Sequence, residues 1–336
     1  MLSVYGFPFL LAMLVSYILT PYIKKLAFKI GAVDRPDNRK VHKRIMPRLG
    51  GLAIYIAFMI GCVASLELTW DVCGILLGGT LIVALGVADD VYQLPAKVKL
   101  LGQIAAACVL VAFDIRIEWV NNPFGGYIYL DMLSIPWTIF WVISFTNVVN
   151  LIDGLDGLAA GVSAIASLTV ILVAIQMGYF HVAILTAALA GGIIGFIRYN
   201  FNPATIFMGD TGSMFIGYML AAISVYGAVK TAATIALIVP AIALGLPILD
   251  TAFAIMRRYA NGRPIFQPDK GHLHHRLLAQ GMCHKEAVLF MYGITAVLCI
   301  GAVLWAEMDG FYAALIIAVI MTAVAVGAKK IGILND

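Results

Sequence analysis

Charge is what this chain has least of. Only 12% of its 336 residues are Asp, Glu, Lys or Arg, against 62% hydrophobic, and the mean hydropathy is +0.97. A soluble domain has no use for so much apolar surface, so a water-soluble fold is excluded and a polytopic membrane protein is expected. Cysteine is sparse as well. The five present (Cys62, Cys73, Cys108, Cys283, Cys299) form no C-x-x-C pair, and four lie in apolar runs, where a thiol behaves as a small hydrophobe. No internal repeat or low-complexity segment is visible, which counts against an inverted-repeat transporter. No basic residue precedes the apolar stretch Leu2–Tyr22 and no small-residue cleavage site is seen, so a retained first span is expected rather than a cleaved signal peptide.

What the chain does have is a series of apolar runs. A helix needs about 20 apolar residues to cross the hydrocarbon. Eleven segments meet that pattern: 3–22, 49–66, 71–88, 98–114, 132–152, 156–175, 180–197, 211–227, 232–256, 286–305 and 311–328. The fold class expected is therefore an all-α membrane bundle forming one domain over 1–336. Pro240 and Pro247 in the ninth segment predict a kink there. Twenty of the 22 Lys and Arg residues fall on one side of this topology, leaving Arg116 and Lys230 on the other. That bias puts the rich side in the cytoplasm, the N-terminus outside and the C-terminus inside. The cytoplasmic loops are then 23–48, 89–97, 153–156, 198–210 and 257–285. The outer connection 114–131 alternates around an Asn-Pro…Gly-Gly turn, as a small extracytoplasmic β-hairpin does.

The rare polar residues gather on the cytoplasmic side, although none of them entered the charge count. Asp89-Asp90 closes the third segment, and Asn150, Asp153 and Asp156 stand at three-residue intervals at the end of the fifth. Asp210 in "FMGDTGS" opens the eighth, and His272, His274 and His275 follow the ninth. Each has a bland reading taken singly. Paired acids at a span end are often a solvated terminus, and "DGLDG" could be a glycine-supported turn. Asp210 could cap its own helix, the basic loop 23–48 could be a topological anchor, and the histidines could bind zinc. Taken together, acids, histidines and cations on one membrane face suit phosphoryl transfer. Hard carboxylate oxygens favour Mg²⁺ or Mn²⁺, and Lys97 and Arg48 are expected to meet substrate phosphates. At a membrane boundary one substrate is expected to be a lipid phosphate and the other a soluble activated phosphate ester. An ion-coupled secondary transporter is the competing class, but it would need acids at the bilayer midplane, and only Asp250 lies deeper in a segment.

Five stretches in order, "VDRPDNRKVHKRIMPRLGG", "ADDVYQLPAKVKLLGQ", "NVVNLIDGLDGLAAG", "FNPATIFMGDTGS" and "DKGHLHHRLL", resemble the polyprenyl-phosphate N-acetylhexosamine-1-phosphate transferases. The resemblance implies an Mg²⁺-dependent transfer of a sugar 1-phosphate from a UDP-sugar to undecaprenyl phosphate, with release of UMP. His-Leu-His-His followed by Arg276, the "RPDNRKVH" loop and the eleven segments resemble the branch that uses UDP-GlcNAc to start surface glycopolymers such as teichoic acid. The phospho-MurNAc-pentapeptide transferases of peptidoglycan synthesis are the alternative. By resemblance Asp210 and Asp90 would meet the metal, and Asp89 with Asp90 the lipid-phosphate site. Asn150, Asp153, Asp156 and Phe207 would meet uridine and diphosphate, and His272, His274, His275 and Arg276 the diphosphate and sugar. Asp89, Asp90, Asp153 and the three histidines are thus the candidate catalytic groups. The implied partners are UDP-GlcNAc, undecaprenyl phosphate and the bilayer of a bacterial plasma membrane, with no nucleic acid; a homodimer is left open. Direct single displacement is favoured over an aspartyl-phosphate intermediate, because a phosphomonoester with a second pKa of about 6 is already mostly deprotonated at neutral pH.

Overall fold

A computed structural model describes residues 2–36, 44–121, 126–231, 235–260 and 272–307, with Gly262 and Thr322 singly. Helices carry nearly all of it: α1 (Leu2–Ile30), α2 (Gly51–Val63), α3 (Trp70–Tyr92), α4 (Ala96–Ala112), α5 (Ser134–Ile152), α6 (Leu158–Gln176) and α7 (Phe180–Asn200). After these come α8 (Gly209–Thr231), α9 (Ile235–Ala243), α10 (Gly245–Ala260), α11 (Leu273–Ala279) and α12 (His284–Glu307). Seven of the described helices are long and apolar enough to cross a bilayer, and an eighth crossing is made if α9 and α10 count as one. The protein is thus an all-α, multi-pass membrane protein. Eleven crossings are not reached among the described residues: α2 has 13 residues, α4 has 17, and segment 311–328 lies outside them except for Thr322.

Helix ends differ from the hydropathy boundaries in an instructive way. The expected first segment stops at Tyr22, but α1 continues to Ile30, because Lys is a good helix former and Ile23, Leu26, Ala27 and Phe28 keep the stretch apolar around the lysines. Lys24, Lys25 and Lys29 therefore stand on a helix rather than in a loop. The kink expected in the ninth segment is a full break, with α9 and α10 meeting at 73°. Pro247 sits in the first turn of α10, where its missing N–H has no intrahelical partner to lose.

Two antiparallel hairpins complete the fold. β3 (Trp119–Asn121) pairs with β4 (Tyr127–Tyr129) in the expected outer connection, Val120 opposite Ile128. Its turn, 122–125, is outside the described residues, as are 37–43 of the basic loop and 263–271 before the histidines. The second hairpin, β1 (Val33–Asp34) with β2 (Met46–Pro47), was not visible in the sequence. β2 leads into a segment that runs beside the approach to α8: Phe207 N donates to Pro47 O, Gly50 N to Phe207 O and Gly51 N to Met208 O.

α8 is the axis of the bundle, buried along most of its length and packed on α3 and α5. Its close approach to α3 depends on Gly86, where an added Cβ would fall 2.4 Å from Thr211 Cα. Small residues let membrane helices approach this closely, and here they bring the end of α3 against the start of α8.

Candidate active site

Four polar residues divide the work at the end of α5: Asn147 and Asn150 one turn apart on the helix, Asp153 at its cap and Asp156 in the loop beyond. Asn147 exchanges hydrogen bonds with Gln103 of α4, at 2.8 and 3.3 Å. One turn on, Asn150 donates to Ser213 of α8 at 2.9 Å. Asp153 follows the last helical residue and faces a cavity of about 420 Å³. Asp156 organises the loop: its Oδ2 accepts from Asn202 Nδ2 and Ala204 N, while its own N–H donates to His284 Nε2.

Asp90 and Asp210 meet where α3 ends and α8 begins. Asp90 Oδ1 accepts from Asp210 N at 3.0 Å, and Oδ2 accepts from Thr211 N at 3.0 Å and Thr211 Oγ1 at 2.6 Å. Asp90 is therefore the N-cap of α8, supplied from another helix. This overturns the bland reading of Asp210, whose carboxylate is not needed for the cap. It also gives Asp90, expected beside the metal, a different first role, since both its oxygens already hold α8 and Arg48 Nε lies 3.3 Å from Oδ1. Gly209 makes the junction possible: its φ is +72°, and a Cβ there would lie 2.5 Å from both Arg48 O and Asp90 Oδ2.

Two cations brace this junction. Arg48 also donates to the carbonyls of Asp89 and Asp90, the last turn of α3. Lys99 bridges Asp89 Oδ2 at 3.2 Å and Asp210 Oδ2 at 2.8 Å. Lys97, singled out from the sequence, is exposed, and neither it nor Lys99 lines the cavity; Lys99, which was not singled out, is the one that braces the junction. A signal existed, because Lys99 and Gln103 are four apart on α4 and Gln103 is buried, whereas Lys97 points well round the helix.

Seven of the expected residues line the cavity: Arg48, Asp90, Asp153, Asp156, Phe207, Asp210 and His275. Asp34, Asn200, Asn202 and His284 line it too and were not anticipated. Asp89, Asn150, His272 and His274 stand behind the wall in the contacts that brace it. Arg276 is partly buried on α11, outside the lining.

The electrostatics are lopsided. Asp153 is pushed up to about 8, first by burial and then by the negative charges of Asp210, Asp90 and Asp156, with no cation lowering it. His274 is pushed down to about 3, chiefly by burial and then by His275, so its ring is neutral. Among the described residues no three His, Cys, Asp or Glu side chains gather tightly enough to hold an ion alone. Magnesium takes one or two carboxylates and completes its shell with water and phosphate oxygens, so two of the acids lining the cavity would suffice for it. The hard oxygen donors, and the proton that Asp153 would give up to a cation, fit a divalent ion, with Asp153 and Asp210 as the side chains that would hold it.

Fold and site together define a multi-pass membrane protein with a carboxylate-lined cavity at one end of its bundle. The family model of glycosyl transferase family 4 matches residues 72–228, which includes Asp89, Asp90, Asp153, Asp156 and Asp210. A Bacillus subtilis (strain 168) protein named "Probable undecaprenyl-phosphate N-acetylglucosaminyl 1-phosphate transferase" is 41% identical over 98% of this chain and 92% of its own. A decaprenyl-phosphate N-acetylglucosaminephosphotransferase of Mycolicibacterium smegmatis is 38% identical over 87% of this chain and 80% of its own. A phospho-N-acetylmuramoyl-pentapeptide-transferase of Thermoanaerobacter sp. (strain X514) is 32% identical over 86% and 93%. The chain belongs to glycosyl transferase family 4. It is a membrane-embedded phosphoglycosyl transferase.

Proposed function

We propose that this enzyme transfers GlcNAc-1-phosphate from UDP-GlcNAc to undecaprenyl phosphate, giving undecaprenyl-diphospho-GlcNAc and UMP, as the first membrane step of a surface glycopolymer such as teichoic acid. The observation that carries the choice of substrates is the 41% likeness along nearly the whole chain to the Bacillus subtilis protein of that name. The pentapeptide-transferase relative is less alike, at 32%.

In the proposed reaction an oxygen of the lipid phosphate attacks the β-phosphorus of UDP-GlcNAc. The new P–O bond forms as the bond from β-phosphorus to the bridging oxygen breaks, and UMP leaves. The nucleophile is already ionised, so no general base is required. The obstacle is bringing anions together, and Mg²⁺, with Mn²⁺ as a substitute, would supply charge neutralisation at the diphosphate. Asp210 and Asp153 are proposed to hold it. Asp90 and Asp89 fix the start of α8 and the Lys99 ammonium, so that Asp210 is aimed before substrate arrives. Arg48 is proposed to meet substrate phosphate from the cavity wall, and Phe207 to offer its ring to uracil. Asp156 and Asn150 position the loop and helix end from which Asp153 projects, and His272, His274, His275 and Arg276 approach the sugar diphosphate. Lys97, exposed at the head of α4, is left with a peripheral part in attracting anionic substrate.

The cavity end is proposed to face the cytoplasm, in an eleven-span topology with the N-terminus outside and the C-terminus inside. Support comes from the Lys/Arg bias and from the pairing of both outer cations, Arg116 with Glu118 and Lys230 with Asp71. With single cysteines in a cysteine-free background, an impermeant thiol reagent should label Met132→Cys and spare Tyr92→Cys in intact cells; the reverse would invert the topology. The reaction is tested by UMP release in detergent with undecaprenyl phosphate and either UDP-GlcNAc or UDP-MurNAc-pentapeptide. Release from UDP-GlcNAc alone is expected, and release only from the pentapeptide would overturn the proposal.

A further inference from the structure

One acid is unused by the reaction so far. Asp250 lies in the second turn of α10, within an apolar stretch, and is buried. A carboxylate there is costly unless its oxygens find donors. Both do. Oδ2 lies 2.9 Å from His272 Nδ1, and Oδ1 accepts the backbone N–H of Leu273 at 2.9 Å. The pair is shielded from water, with side-chain exposures of 8% for His272 and 5% for Asp250.

The contact is specific in its chemistry. An ionised carboxylate only accepts, so the proton of a neutral His272 must sit on Nδ1, leaving Nε2 bare. The grip on Leu273 N fixes the backbone at the start of α11, so ring and helix are held by one group. From there the rings form a row. His272 stacks on His274 with centroids 5.8 Å apart and planes within 6°, and His274 lies 4.2 Å from His275, which lines the cavity. Its middle ring rests on the loop that carries Asp153: a Cβ on Gly154 would come within 2.6 Å of His274 Nε2. The break between α9 and α10 gains a purpose, since α10 leaves the line of α9 and packs on α5 and α12.

We propose that Asp250 is a positioning residue, whose carboxylate sets the tautomer and plane of His272 and thereby seats the histidine row against the cavity. This rests on the transferase reading for its kinetic arm but not for its spectroscopic one. Outer partners that orient histidines typically change activity about 10- to 100-fold when lost.

The test uses Asp250→Asn in the full-length protein. An amide keeps the size and one acceptor for Leu273 N, but presents an NH₂ donor to His272 Nδ1, which must then give up its proton. UMP release should show kcat reduced about tenfold or more. KM for UDP-GlcNAc and Tm should change little, which a merely structural residue would not give. In a His272→Gln background the same substitution should add less than about twofold, because Asp250 acts through that ring. Independently of activity, ¹⁵N resonances of the His272 ring should show Nδ1 protonated in the wild type and Nε2 protonated in Asp250→Asn. Losses that multiply in the double variant, or a wild-type ring protonated on Nε2, would overturn the proposal. A wild type that releases no UMP would instead sink the transferase reading, while the ring spectrum of the wild type still decides the role of Asp250.

Discussion

The two ends of the bundle treat charge in opposite ways. At the hairpin end, Lys230 at the foot of α8 pairs with Asp71 at the head of α3, and Arg116 pairs with Glu118. Each cation has its acid. At the cavity end the same two helices bring together Asp89, Asp90 and Asp210, and the α5–α6 loop adds Asp153 and Asp156. Two cations, Arg48 and Lys99, brace the junction, yet Asp153 is left facing three acids without relief. The hairpin end pairs each of its two cations with one acid, whereas the cavity end concentrates five carboxylates on one junction and loop, and that concentration is the ground for proposing that a cation arrives there with substrate.

The sharpest way to break this comparison is to remove one acid from each end. Asp210→Asn should lower the rate of UMP release about a hundredfold or more, equivalent to roughly 3 kcal/mol of transition-state stabilisation. Asp71→Asn should stay within about twofold of wild type, because a part-exposed ion pair far from the chemistry contributes little. Since Asp90 rather than Asp210 caps α8, Asp210→Asn should also keep its thermal stability, so its loss of rate cannot be a loss of fold. Equal rates for the two variants would erase the difference between the ends.

Removing the cations gives a smaller and opposite signature. Lys99→Met strands Asp89 and Asp210 together and should destabilise the protein by about 1–3 kcal/mol, below the range for a fully buried pair because Lys99 keeps partial access to solvent. Lys230→Met should cost less than about 1 kcal/mol, since that lysine is half exposed. Thermal unfolding in detergent with EDTA compares them, and similar shifts would mean that Lys99 is no more than a surface contact.

How much of this was legible in the sequence depended on range. The apolar runs were found because each is a local pattern, and the outer hairpin because it alternates around a turn. The gathering of acids at one end followed from counting spans. What stayed hidden was set by tertiary contact. Asp90 caps a helix that begins 120 residues later, which no local motif announces. The choice between Lys97 and Lys99 turns on the rotation of α4, fixed by the Gln103–Asn147 bonds. β1 and β2 are two residues each, too short for a periodic signal, and they form where the chain beside them docks on 207–208. Asp250 stood out only as the acid deeper in a segment, and its contact with His272, 22 residues on, follows no local pattern.

A further effect is expected on pH dependence, and its sign follows from Asp153. Its folded-state pKa of about 8 lies above the ordinary 3.8, so the ionised form is disfavoured in the fold. Metal-free protein should therefore lose stability as pH rises between those values, most of it present below pH 4 and lost by pH 8. Asp153→Asn should flatten that slope, as read by Tm against pH in EDTA. A bound cation reverses the preference, so divalent-ion affinity should tighten from pH 6 to pH 8 as a proton is displaced. A slope that persists unchanged in Asp153→Asn would assign the effect to another group.

The most direct measurement of the account is a Mn²⁺ titration followed by electron paramagnetic resonance, on detergent-solubilised protein with UDP-GlcNAc present. It needs no turnover and counts bound ions. One ion per chain should bind to the wild type and to Asp71→Asn, and binding should be lost or weakened at least tenfold in Asp210→Asn. Undiminished binding in Asp210→Asn, or none in the wild type, would contradict the proposal that the cavity end is a cation site.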